Sequence, residues 1–169
     1  YKRQAGNAVS VTYSLGLRFG TGKVAGDAGF FLNDTMEGFT AKVGAPNVFG
    51  LIQGKANAIA PGKRSLSSMT PTVVLKDGKV FMVTGSPGGP RIITTTLQTI
   101  LNVIDYGMDV QAAVDAPRIH HQWLPDTAYL EAGALSPDTQ AMLEKMGHRF
   151  TTEENWSVAD AIVVDEKRG

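Results

Sequence analysis

Hydrophobic and polar positions alternate over Asn7 to Ser14, where Val9, Val11 and Tyr13 interleave with Ser10, Thr12 and Ser14. A period of two carried by β-branched residues predicts a strand. Thr72 to Lys76 and Val80 to Thr84 flank Asp77-Gly78, a dipeptide suited to a tight two-residue turn, so a hairpin is predicted there. The period then lengthens. Ile93, Leu97, Ile100, Leu101 and Ile104 recur at helical spacing, which predicts a helix over Ile92 to Ile104 with Gly107 as its C-terminal cap. A short helix is predicted from Asp109 as N-cap to just before Pro117, and a third from Ser136 as N-cap, with Pro137 in its first position, to Gly147. Arg149 to Glu153 and Ala159 to Val164 return to strand patterns.

Between these periodic segments, Gly20 to Gly29 reads as a glycine-rich loop and Phe30-Phe31-Leu32 as a short strand. Thr40 to Met69 keeps no sustained period and is punctuated by Pro46, Pro61 and four glycines. A structured loop of that length in a compact domain is usually functional. Strands first, helices in the second half and strands at the close predict α+β layering in one domain over residues 1–169.

Composition then excludes function classes. Lys+Arg and Asp+Glu both number 16, so the charge excess that a nucleic-acid or anionic-membrane binder needs is missing. No run approaches the roughly 18 apolar residues of a membrane span, and no signal peptide is read at the start. With zero cysteines, disulfides, thiolate metal sites and cysteine nucleophiles drop out. His120-His121 with Asp126 lacks the three or four converging ligands of a zinc site, because the remaining histidine, His148, is distant in sequence. The pair is expected to hydrogen-bond within the turn through Trp123, Leu124 and Pro125. Phe19-Gly20-Thr21-Gly22-Lys23 fails as a phosphate loop, since Val24 follows where Ser or Thr belongs.

Two segments remain as candidate chemistry. Thr84-Gly85-Ser86-Pro87-Gly88-Gly89-Pro90 joins a strand to the strongest helix, and its adjacent glycines leave backbone N–H groups uncovered near a helix start. Such donors stabilise an oxyanion, or else the glycines serve tight packing alone. Arg64-Ser65-Leu66-Ser67-Ser68-Met69 presents neighbouring hydroxyls and a basic group, suited to holding a carboxylate or to bonding nearby backbone.

Taken together, GNAVSVTYSL (Gly6 to Leu15), FGTGKVAGDAGFFLND (Phe19 to Asp34), PNVFGL (Pro46 to Leu51), NAIAPGKRSLSSMTPT (Asn57 to Thr72), VTGSPGGPRI (Val83 to Ile92) and DAPRIHHQWLPD (Asp115 to Asp126) resemble the small subunit of γ-glutamyltranspeptidases, in order and over most of the chain. The resemblance implies a four-layer αββα sandwich of the N-terminal-nucleophile hydrolase type, made by self-cleavage of a precursor and completed by a large subunit. It implies an N-terminal threonine nucleophile a few residues before Tyr1, whose own α-amino group serves as base, and a last strand beyond Gly169. It also implies no cofactor and no metal, γ-glutamyl substrates such as glutathione, an acceptor amine or water, and a periplasmic or secreted location.

By the same resemblance Gly88 and Gly89 supply the oxyanion hole, Ser67 and Ser68 bind the glutamyl α-carboxylate, and Ser14 matches a threonine that hydrogen-bonds the nucleophile. Gly16 stands where many members have an asparagine. Thr35 and Gly38 stand where members place a Gln or Glu and an Asp that grip the substrate's α-ammonium. Losing that charge implies weaker selection of a free amino-acid head group, which keeps an acylase of glutaryl or cephalosporin type as an alternative. A non-catalytic binding homologue is the reading from another class.

Overall fold

In the computed structural model, residues 6–154, 156 and 158–164 are described. Tyr1 and Gly169 lie outside them, and so do the expectations about what precedes and follows the chain. Two compact units divide the chain: Tyr1–Thr12 with Ser68–Gly169, and Tyr13–Ser67. Mixed α+β structure is confined to the first.

The predicted hairpin is present as β1 (Thr72–Lys76) and β2 (Lys79–Gly85), turning through Asp77 and Gly78, both at positive φ. The helices follow as α1 (Arg91–Ile104) and α2 (Val110–Asp115), then strands β3 (Ile119–His121) and β4 (Ala128–Leu130). Helix α3 (Pro137–Lys145), β5 (Phe150–Thr152) and β6 (Asp160–Val163) complete the unit. Both predicted caps work as such: the Asp109 side chain accepts from the Ala112 N–H and the Ser136 side chain from the Thr139 N–H. Helix α1 ends at Ile104 as expected, but its C-cap is Asp105; Gly107, the expected cap, turns the chain two residues later at φ +64°.

One three-stranded sheet has the order β1-β2-β6, antiparallel throughout, and the other β3-β4-β5, in which β4 and β5 run parallel. The pair β3 and β4 sits between α2 and α3, so the helices do not form an uninterrupted block as the sequence order suggested.

Two further expectations need correction. Asn7 to Ser14 is not a strand. Both edges of β2 are already taken by β1 and β6, and the segment meets β2 through a side chain instead, the Ser10 hydroxyl donating to the Thr84 carbonyl at 2.9 Å. Phe30-Phe31-Leu32 forms only a single bridge, Phe31 to Val24. The apolar stripe of α1 faces outward, with Ile93 and Leu97 each about half exposed, while Thr95 and Thr99 are fully buried. Two of the inward threonines satisfy their hydroxyls, Thr99 donating to the Thr95 carbonyl at 2.9 Å and Thr96 accepting from the Thr70 hydroxyl at 3.1 Å, while the buried Thr95 hydroxyl has no partner among the described residues.

Tyr13–Ser67, the second unit, is built from turns, isolated bridges and three short 3₁₀ segments, Gly26–Ala28, Thr35–Gly38 and Lys55–Asn57. This matches the aperiodic reading of Thr40 to Met69. Among the described residues no helix is long and apolar enough to cross a membrane.

Candidate active site

Strand β2 carries the chain into the glycine corner and fixes its approach. Thr84 is buried, its hydroxyl donates to the Asp160 carbonyl at 3.0 Å, and its own carbonyl is held by Ser10. Ser86 is buried and donates to the Pro87 carbonyl at 2.6 Å. The corner itself has Gly88 at φ +133° and Gly89 at φ +59°. A Cβ on Gly88 would meet nothing nearer than 3.6 Å, so glycine is required there by backbone conformation and not by space.

Carbonyls at the corner are engaged and amides are not. Gly88 and Gly89 accept at their carbonyls from Arg91 and Ile92 N–H, at 3.1 and 3.3 Å, which starts α1. Among the described residues neither glycine N–H donates a hydrogen bond. These are the uncovered donors expected from the sequence. They lie just before a helix N-terminus, where partial positive charge gathers.

The hydroxyl loop reaches the same corner. Ser68 donates to the Gly89 carbonyl at 2.8 Å, so two segments 21 residues apart are joined directly. Its single O–H is committed to that carbonyl. On the far side, Arg91 forms an ion pair with Glu153 at 2.7 Å and lies over the rings of Tyr129 and Trp156 at 4.9 and 4.8 Å. This clamp fixes the first turn of α1 behind the glycines. No local pattern announces it, because its members come from three separate segments.

His120 is not in a turn but on β3, 2% exposed. Its Nδ1 is 2.8 Å from the Thr94 hydroxyl and its Nε2 3.0 Å from Gln122 Oε1. Burial pushes the ring below the ordinary imidazole value of 6.5, against the opposing Gln122 hydrogen bond and with help from Arg91 and His121. His121 does behave as expected of the pair, accepting the Trp123 N–H at 3.1 Å and lying 3.4 Å from Asp126. Among the described residues no three His, Asp or Glu side chains converge as a metal site.

Ser14, Gly16, Thr35 and Ser67 belong to the second unit. Ser14 Oγ accepts the Gly16 N–H at 2.9 Å, closing a tight bend. Gly16 is at φ +97°, and a Cβ there would fall 1.8 Å from Asp34 Oδ1. Thr35 turns inward on its own chain, its hydroxyl donating to Asn33 Oδ1 at 2.6 Å. Ser67 has a bonded partner of its own. Gly38 packs so closely that a Cβ would sit 3.0 Å from Ser65 Oγ. Asn57 was missed as an organiser of this unit: its side chain donates to the Gly38 carbonyl at 2.7 Å and accepts from the Leu66 N–H at 3.0 Å, tying the Thr35–Gly38 turn to the serine loop.

A family model described as Gamma-glutamyltranspeptidase matches residues 3–168. The chain is 59% identical over 159 residues to the Glutathione hydrolase proenzyme of Pseudomonas sp. (strain A14), covering 94% of this chain and 28% of that protein. It is 56% identical over 159 residues to the Glutathione hydrolase proenzyme of Escherichia coli (strain K12), covering 94% and 27%. A crystal structure of a mutant Helicobacter pylori gamma-glutamyltranspeptidase superposes with a TM-score of 0.93 at 50% identity, covering 96% of this chain and 88% of that one. The chain therefore spans 27–28% of the length of these two curated relatives.

Proposed function

The chain belongs to the γ-glutamyltranspeptidase family, and on that ground we propose that the protein containing it is a γ-glutamyl hydrolase and transferase acting on glutathione and related γ-glutamyl amides. The observation that carries this reading is the meeting of Ser68 with Gly89 beside two backbone amides that donate to no described group. A hydroxyl beside two backbone N–H donors left without a partner is the equipment of acyl transfer.

In the proposed reaction a threonine oxygen, delivered from upstream of Tyr1, attacks the γ-carbonyl carbon of the donor. Its proton passes to the threonine's own α-amino group. The carbonyl oxygen takes on negative charge facing the Gly88 and Gly89 amides, and one lost donor of this kind typically costs about 2.7–4 kcal/mol of transition-state stabilisation. Collapse breaks the C–N bond, the leaving amine takes the proton, and water or an acceptor amine then displaces the threonine from the ester. Ser67 and Ser68 hold the glutamyl α-carboxylate, the Ser68 O–H turning from the Gly89 carbonyl to the donor as it binds, and Ser14 hydrogen-bonds the nucleophile.

The outward apolar stripe of α1 supports a larger assembly, because Ile93, Leu97 and Ile104 are each about half exposed and such a stripe normally packs on another element. The reading places a large subunit from the same precursor over it, as a layer of a four-layer αββα sandwich in which this chain is one partial domain. It places the protein in the periplasm or outside the cell. The absence of an acidic or amide side chain at Thr35 and Gly38 favours, as a second reading, an acylase for a glutaryl-type group.

The test is product release from γ-glutamyl-p-nitroanilide by the full-length, self-processed protein. Steady release that is lost when the upstream threonine is replaced by alanine is expected. A processed protein that releases nothing overturns the reading.

A further inference from the structure

Building on the γ-glutamyl reading, we propose that Asp34 is the residue that selects the donor's amino-acid head group, its carboxylate receiving the α-ammonium. A γ-glutamyl donor brings a cation next to its α-carboxylate, and burying that cation without an opposite charge is costly. Neither Thr35 nor Gly38 supplies one. Thr35 spends its hydroxyl proton on Asn33, and an acid at position 38 would have to displace Ser65.

Asp34 is placed to do so by the bend at Gly16. Its N–H donates to the Leu15 carbonyl at 2.8 Å, and its Oδ1 accepts the Leu17 N–H at 2.9 Å. The carboxylate thus lies across Gly16, in the volume that any side chain at that position would take, since an ideal Cβ there falls 1.8 Å from Oδ1. Gly16 at φ +97° and Asp34 are complementary: the glycine's missing side chain is what lets the acid in. The same bend contains Ser14, whose hydroxyl accepts the Gly16 N–H, so the carboxylate lies against the glycine two residues after the one assigned to hydrogen-bond the nucleophile.

One face of this carboxylate remains available. Among the described residues Oδ2 accepts no hydrogen bond, and no Lys or Arg pairs with Asp34. Asp34 is half-buried. Nearby Glu37 is held above the ordinary carboxylate value first by its own burial and second by the charge of Asp34, so the two acids face each other without a neutralising partner on Asp34.

The experiment compares kcat and KM on γ-glutamyl-p-nitroanilide and on glutaryl-p-nitroanilide, which lacks only the ammonium, for the full-length processed protein, Asp34→Asn and Glu37→Gln. The wild type is expected to favour the γ-glutamyl donor by about tenfold or more, a typical worth of one charge-assisted hydrogen bond. Asp34→Asn keeps an oxygen for the Leu17 N–H and is expected to erase that preference through KM on the γ-glutamyl donor. A parallel loss on both donors, or a preference that collapses in Glu37→Gln and survives in Asp34→Asn, overturns the assignment. If Asp34→Asn fails to mature, the wild type still decides: equal use of the two donors sinks the proposal while leaving acyl transfer intact. Cleavage of neither donor by the processed wild type sinks the functional reading itself.

Discussion

The Ser68 hydroxyl donates its proton to the Gly89 carbonyl at 2.8 Å, and this makes one side chain answerable to two demands. If Ser68 acts only by tethering the glycine corner, Ser68→Ala lets the Gly89 peptide rotate and lowers kcat with KM little changed. If it also holds the donor's α-carboxylate, KM for γ-glutamyl substrates rises as well. We expect both, with kcat/KM down about ten- to a hundredfold and stability down about 1 kcal/mol, the usual net worth of one hydrogen bond. Steady-state kinetics with parallel thermal melts separate the two; an unchanged kcat removes the tether from the account.

Gly88→Ala isolates backbone conformation, since a Cβ there has room. At φ +133° a side chain is strained regardless of its neighbours. The strain is relieved by turning the peptide, and the uncovered N–H groups turn with it. A fall in kcat of at least about tenfold is expected, with a destabilisation of about 1–3 kcal/mol. Wild-type kcat in this variant removes the corner from catalysis.

Legibility in the sequence followed the range of the interaction involved. The β1–β2 turn at Asp77-Gly78, the Asp109 and Ser136 caps and the paired-glycine corner depend on neighbours within a few residues, and each was readable. Which face of α1 turns inward depends on what covers it, and periodicity marks the helix without telling that Thr95 and Thr99 are the residues the structure buries. Strand β3 was hidden because three residues containing two histidines carry no period. Asp34 and Asn57 act by filling a volume and by bridging segments, and neither leaves a mark on local pattern. The serine loop was visible as chemistry, but that its Ser68 is bonded to Gly89 is a fact of tertiary structure.

Breaking the Arg118–Glu131 pair should have the largest effect on stability of any single change considered. Both side chains are 5% exposed, the guanidinium lies 3.6 Å from the carboxylate, and Glu131 Oε2 also accepts the Arg118 N–H at 2.9 Å. Arg118 additionally donates to the Val114 carbonyl, at the end of α2. Glu131→Ala leaves a buried cation short of its partner, and a loss of about 3–5 kcal/mol is expected. Denaturant unfolding of the wild type and the variant measures it, and a loss under about 1 kcal/mol would mean water reaches the guanidinium.

His120 gives the protein an acid-sensitive core. The ring lies among Arg91, His121, Glu153 and Gln122, packs on Tyr129 and Trp156, and is held below the ordinary value of 6.5 mainly by its burial. An unfolded chain therefore takes up the proton at a higher pH than the folded one. Where the unfolded state binds more protons, stability rises with pH. The contribution of the neutral ring is thus complete above about pH 6.5 and is lost as pH falls from there through the lowered folded value, at no more than about 1.4 kcal/mol per pH unit. Melting temperatures taken from pH 7.5 down to 5 should drop more steeply for the wild type than for His120→Gln, which is uncharged throughout. The variant starts lower, having given up the Thr94 contact, but its slope is shallower. Parallel slopes would show that carboxylates and not this histidine set the acid limit of the fold.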